Sequence, residues 1–113
     1  MAHYLAELYS PKPAWLALDP AGRQRFFDGV GAGMGVLMAL GVEVLAMGEV
    51  EAGSLHPAPQ RFFALWRLAD QAALDALLGG IAASGWHDYF DTVNAGGRGT
   101  DLGGHLAQLA AVA

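Results

Sequence analysis

Two stretches with helical spacing of apolar side chains each lie between short runs rich in aromatic and β-branched residues, and this order limits the folds open to the chain. Residues 4–9 predict a first strand, halted by Pro11 and Pro13, which cannot extend a hydrogen-bonded ladder. A short apolar connector, 14–18, leads to Asp19-Pro20. The carboxylate can accept the free N–H groups of a first helical turn, and proline fits that turn. The helix this opens, about 20–40, carries Phe27, Val30, Met34, Leu37 and Met38 as one stripe and stops at Gly41. Four glycines inside it, Gly29, Gly31, Gly33 and Gly35, cost about 0.5–1 kcal/mol each relative to alanine, and close approach to a sheet is the expected reason. Residues 42–50 predict an edge strand with Glu43 and Glu49 on one face and Val42, Val44 and Val50 on the other. As an edge, it would use those charges to stay out of wrong pairings. A loop at 51–60 precedes a third strand at 61–68. Asp70 then caps a second helix with Leu74, Leu77, Leu78 and Ile81 on one side and Gly85 at its end. A fourth strand, 89–94, is followed by a glycine-rich bend at 96–104. Leu102, Leu106 and Leu109 fit either a short C-terminal helix or a tail that packs on a partner.

Strand–helix–strand repeated twice closes as α+β: a ferredoxin-like βαββαβ unit with a four-stranded antiparallel sheet and both helices on one face. One domain is expected over 1–113, with its core in 4–95 and a tail or short helix at 100–113, without repeats or linkers. The other sheet face has no cover in a monomer, yet the strands are apolar on both parities. Hydrophobic residues make 54% of the chain and charged ones only 15%, more apolar surface than one small core hides. Two sheets meeting face to face, a homodimer, would solve this. With no cysteine, disulfides, iron–sulfur clusters, thiol catalysis and thiolate zinc sites are excluded. A net charge of −5 without a basic patch argues against nucleic acid. The uncharged stretch 29–42 is too short and too glycine-rich for a membrane span, and the start lacks a basic leader segment, so a cytoplasmic protein is expected.

The run from Trp15 to Pro20, followed by Arg23 and Phe26, is similar to the start of the first helix in darcynin-like proteins. So is Trp86-His87-Asp88-Tyr89-Phe90 ahead of the fourth strand. With the strand order, these patches resemble the dimeric α+β barrel superfamily over residues 4 to about 95. That resemblance implies two paired ferredoxin-like sheets with a ligand pocket in each half. The superfamily includes cofactor-independent monooxygenases of aromatic polyketides, haem-degrading monooxygenases, muconolactone isomerases and stress-response proteins, so the fold alone fixes no reaction. Haem-degrading members join an Asn on strand 1, a Trp on strand 3 and a His on helix 2. Here Trp66 is present, but Ala6 and Glu7 stand where the Asn would be and His87 lies beyond the helix.

Glu7 lies mid-strand in a central strand and should be buried. A buried carboxylate needs a partner, and Arg67 on the neighbouring strand is the natural one. Two readings follow: a structural ion pair that fixes register, or a catalytic pair in which Glu7 is a general base and Arg67 holds an anionic or enolate oxygen. Tyr9, Trp15, Trp66, Trp86 and Tyr89 are candidate substrate-binding walls, or simply core and interface aromatics. No metal site is expected, because His3, His56, His87 and His105 lack ligand spacing. His87 and Asp88, as strand neighbours, would point to opposite faces, which argues against a dyad, and no serine lies in a nucleophile elbow. The glycines from 29 to 35 sit within a helix and match no dinucleotide or phosphate-loop frame, so no cofactor is expected. Gly96-Gly97-Arg98-Gly99 reads as an anion-binding turn or a plain connector. These observations imply a homodimeric barrel with a small apolar pocket, acting without cofactor as a monooxygenase or isomerase on an aromatic or lactone-like molecule. The alternative is a non-catalytic ligand-binding or stress-associated dimer.

Overall fold

In the computed structural model, which describes residues 2–113, the chain runs β1 (His3–Pro11), α1 (Pro13–Leu16), α2 (Pro20–Ala39), β2 (Val42–Glu49), β3 (Phe62–Leu68), α3 (Gln71–Ala83), α4 (Trp86–Tyr89), β4 (Phe90–Arg98) and α5 (Leu102–Ala110). The strands form one antiparallel sheet in the order β2-β3-β1-β4, the ferredoxin-like arrangement expected from the element order. Leu5, Trp66, Leu68, Leu74 and Leu77 make the centre of the core between the sheet and α3, and Met34 and Leu37 of α2 pack against it from the same side. Among the described residues no helix is long and apolar enough to cross a membrane.

The helix starts follow the sequence. Asp19 accepts from the Gly22 N–H at 2.7 Å, Asp70 from the Ala73 N–H at 2.8 Å and Asp101 from the Gly104 N–H at 2.8 Å. The third of these makes the C-terminal segment a capped helix. Gly41 leaves α2 with a φ of +92°, and a Cβ there would lie 2.7 Å from the Ala69 Cβ, so only glycine fits both the turn and the contact.

Several expectations are corrected. The connector after β1 contains a helical turn, α1. β1 continues through Pro11, which lies past the last residue paired with β3 and pairs only with Phe90, so its missing N–H breaks no second ladder. β4 runs on to Arg98 through the supposed bend. Gly96 is there for space, since a Cβ on it would lie 3.2 Å from Leu5 and 3.5 Å from Leu74. A bulge in β2 between Val44 and Ala46 shifts the register against β3. It parts the two acids: Glu43 stands opposite Arg67, whereas Glu49 stands opposite Phe62, and these two β3 residues belong to opposite parities. The α2 glycines do not serve close approach either. A Cβ on Gly29, Gly31, Gly33 or Gly35 meets nothing within 4 Å; Gly29 and Gly33 face a cavity beneath α2, and Gly31 and Gly35 do not line it.

Candidate functional site

Alternation along β1 sends His3, Leu5, Glu7 and Tyr9 toward the helices, while Tyr4, Ala6 and Leu8 face away. Opposite them Ala64, Trp66 and Leu68 of β3 face the helices. This inner face, α2 and α3 enclose a partly open cavity of about 570 Å³, with Glu7, Tyr9, Trp66, Met34, Ile81 and Trp86 among its lining residues. Glycines at 29 and 33, four apart, present one bare side of α2 to it. Glu7 is the only charged residue in the lining.

Glu7 is 3% exposed. Its Oε1 accepts from the Trp66 indole N–H at a long 3.4 Å, and its Oε2 has no hydrogen-bond partner. Burial pushes its pKa up from the ordinary carboxylate value, and the Trp66 hydrogen bond and the charge of His87 pull it partly back. Tyr9, two residues along the same face, also has a raised pKa, first from burial and then from the nearby Glu7 carboxylate. Trp86 meets Tyr9 edge-on at 5.0 Å, stacks on Phe90 at 4.2 Å and donates its indole N–H to Thr92 Oγ1 at 3.1 Å, so this wall is fixed in place. Such an enclosure can hold a small apolar molecule against one carboxyl group able to give or take a proton.

The structure brings together Glu7, Tyr9, Trp66 and Trp86 and leaves the other three candidates outside. Arg67 lies between the inward-facing Trp66 and Leu68, so its side chain is exposed on the outer face, across from Tyr4 and Glu43. The expected Glu7–Arg67 pair is not formed: neighbouring strands can carry two residues of opposite parity, and strand adjacency alone does not reveal that. Trp15 and Tyr89 belong to an aromatic cluster beyond the cavity, 5.6 Å apart and both in contact with Phe26, with Phe90 packed on Trp15. His87 and Asp88 lie on α4 rather than a strand and are exposed. Gly29, Gly33, Val36, Met47, Gly80 and Ser84 are cavity contributors that sequence reasoning missed; the four-residue spacing of the two α2 glycines was the available signal. Among the described residues no three His, Cys, Asp or Glu side chains cluster as metal ligands. Haem does not fit the cavity's donors, because none of the four histidines lines it.

No curated protein matches the chain. Among solved structures it is similar to the chlorite dismutase-like protein TA0507, with a TM-score of 0.71 and 18% identity over 96% of this chain; it spans only 48% of that one. It is also similar to the RPA0582 protein of Rhodopseudomonas palustris, solved in methylated form, with a TM-score of 0.61, 17% identity and 90% and 83% of the two chains covered. A third is a dimeric ferredoxin-like protein of unknown function from Thermobifida fusca, with a TM-score of 0.52, 13% identity and 86% and 90% covered. At these identities the likeness establishes the shared fold, and the match of a family model to residues 2–112 places the chain in DUF6616, a family of unknown function.

Proposed function

We propose that the protein is a homodimer that binds a small, neutral, largely apolar molecule in the α2–sheet cavity and moves a proton on it with Glu7, as a cofactor-independent isomerase does. The observation that carries this reading is the unpartnered Glu7 Oε2, buried in the wall of a cavity otherwise free of charge. As carboxylate, Glu7 takes a proton from a carbon that lies between a carbonyl and a C=C bond; as carboxylic acid, it returns the proton to the far carbon of the resulting dienolate, so the double bond moves and the atoms balance. That isomerisation balances without oxidant or cofactor, which favours it over oxygenation. Tyr9, held protonated by its raised pKa, is placed to donate a hydrogen bond to the enolate oxygen, the task earlier given to Arg67. Aromatic or lactone-like ketones and esters suit the Trp66 and Trp86 walls. Dimerisation through the outer sheet face is supported by Tyr4, Leu45, Leu65 and Val93, all exposed, and by the dimer in the Thermobifida fusca relative.

The test is deuterium exchange into 2-tetralone, a neutral aromatic ketone, followed by NMR in D2O. Wild type should speed exchange at the carbon next to the carbonyl above the buffer rate, and Glu7→Gln should bind the ketone but lose the acceleration. Binding without acceleration in wild type would favour the non-catalytic ligand-binding dimer. No binding at all would refute the cavity reading.

A further inference from the structure

The end of the sheet near α1 carries a second pocket of about 360 Å³ whose chemistry is the reverse of the Glu7 cavity. Its lining includes Trp15, Phe27, Phe62 and Phe90 together with the guanidinium groups of Arg23 and Arg61, and it contains no carboxylate. The two cavities share a wall formed by Tyr9 and Trp86. Arg23 lies with its guanidinium carbon 5.3 Å from the centre of the Trp15 ring, and Arg61 lies 5.5 Å from the centre of the Phe62 ring. Stacking on aromatic faces holds a guanidinium flat and leaves its edge free to grip an anion. Arg23 gives one terminal N–H to the Trp15 carbonyl oxygen at 3.3 Å, while its Nε–H is buried and has no partner at all. An orphaned buried donor on a charged group is costly, and an anion gripped by the terminal N–H groups of the same guanidinium would offset that cost. In a chain with six Lys and Arg against eleven Asp and Glu, two arginines turned into one aromatic pocket with no acid beside them are out of balance with the rest of the surface.

We infer that this pocket is a binding site for a planar aromatic carboxylate, its ring between the aromatic side chains and its carboxylate held by Arg23 and Arg61. This site does not depend on the proposed chemistry at Glu7. The test uses 2-naphthoate, with 2-naphthylmethanol and 2-naphthylmethylamine as isosteric neutral and cationic controls, titrated calorimetrically against the full chain. Naphthoate should bind at least about tenfold more tightly than the alcohol, the amine should bind weakest, and Arg61→Gln should remove most of the difference. Arg23→Gln should do the same; if it fails to fold, the exposed Arg61 still decides the matter. Saturating 2-tetralone should leave naphthoate bound. Equal affinity for acid and alcohol, indifference to Arg61→Gln, displacement by the ketone, or no binding of naphthoate up to its solubility would each overturn the assignment.

Discussion

Leu65→Glu tests the proposed sheet-to-sheet dimer at its centre. A folded monomer of 11.8 kDa exposes about 5,900 Å² by the general area–mass relation. This chain exposes 7353 Å², an excess of about 1,400 Å², larger than the roughly 800 Å² each partner gives up in an interface of ordinary size. Exposed large hydrophobic side chains lie on the outer sheet face, on α2 and on α5. On the outer face, Tyr4, Leu45, Leu65 and Val93 are 41%, 48%, 39% and 54% exposed. Each therefore has about half of its transfer free energy still to gain, near 1 kcal/mol apiece. Leu65 belongs to β3, an interior strand, beside a shallow trough lined by Tyr4, Ala6 and Ala95. A glutamate there would place an unpaired charge in the buried contact of both subunits, at about 3–5 kcal/mol each, and should weaken the dimer by two or more orders of magnitude. Sedimentation velocity from 1 to 100 µM should show a wild-type dimer and a folded Leu65→Glu monomer. Wild type running as a monomer throughout, or the variant remaining dimeric, would refute the reasoning.

Four further expectations follow from particular residues. Because burial raises the Glu7 pKa, the folded state holds its proton to higher pH than the unfolded state does. The stability Glu7 contributes is therefore complete below the unfolded value of 4.5 and lost as pH rises through the folded one; Glu7→Gln should gain stability over wild type on raising pH from 4 to 8 in urea titrations, and a gain on lowering pH would contradict this. Trp66→Phe deletes the hydrogen bond that lowers the Glu7 pKa, so the carboxyl resonance of Glu7 followed by NMR should titrate at higher pH. Leu77, 0% exposed in the core, should cost about 2–5 kcal/mol when cut to alanine, read from the same urea curves. Gly33→Ala should stabilise by about 0.5–1 kcal/mol, since its methyl group meets nothing within 4 Å; destabilisation would show that α2 packs closer than described.

The local signals in the sequence were the reliable ones. Asp19 and Asp70 marked their helices because a cap is a contact within four residues, and the strand runs were legible because β-branched and aromatic residues declare themselves over short windows. Glu7 was recognisable as buried from topology alone. Its partner was not, because which face a side chain takes depends on register, set jointly by two strands and, in β2, by a bulge that no residue type announces. The α2 glycines carried a true signal with an ambiguous meaning: a missing side chain permits close packing and also leaves room, and only the distance between helix and sheet tells which. Trp15 and Tyr89 lie outside the Glu7 cavity, which the sequence could not show, since clustering at one end of a sheet depends on where α1 folds back.

The β2 bulge sets how this protein can change by insertion and deletion. Val44 and Met47 both line the Glu7 cavity although three positions apart, which an unbroken strand cannot achieve. Losing the extra residue, Leu45, would restore strict alternation with Val44 and Met47 two positions apart and both still facing the cavity, and would remove one side chain from the outer face. A single codon there therefore edits the outer sheet face while the wall of the cavity stays as it is, so length variation at this point of β2 would change what that face can pack against and leave the cavity's lining in place.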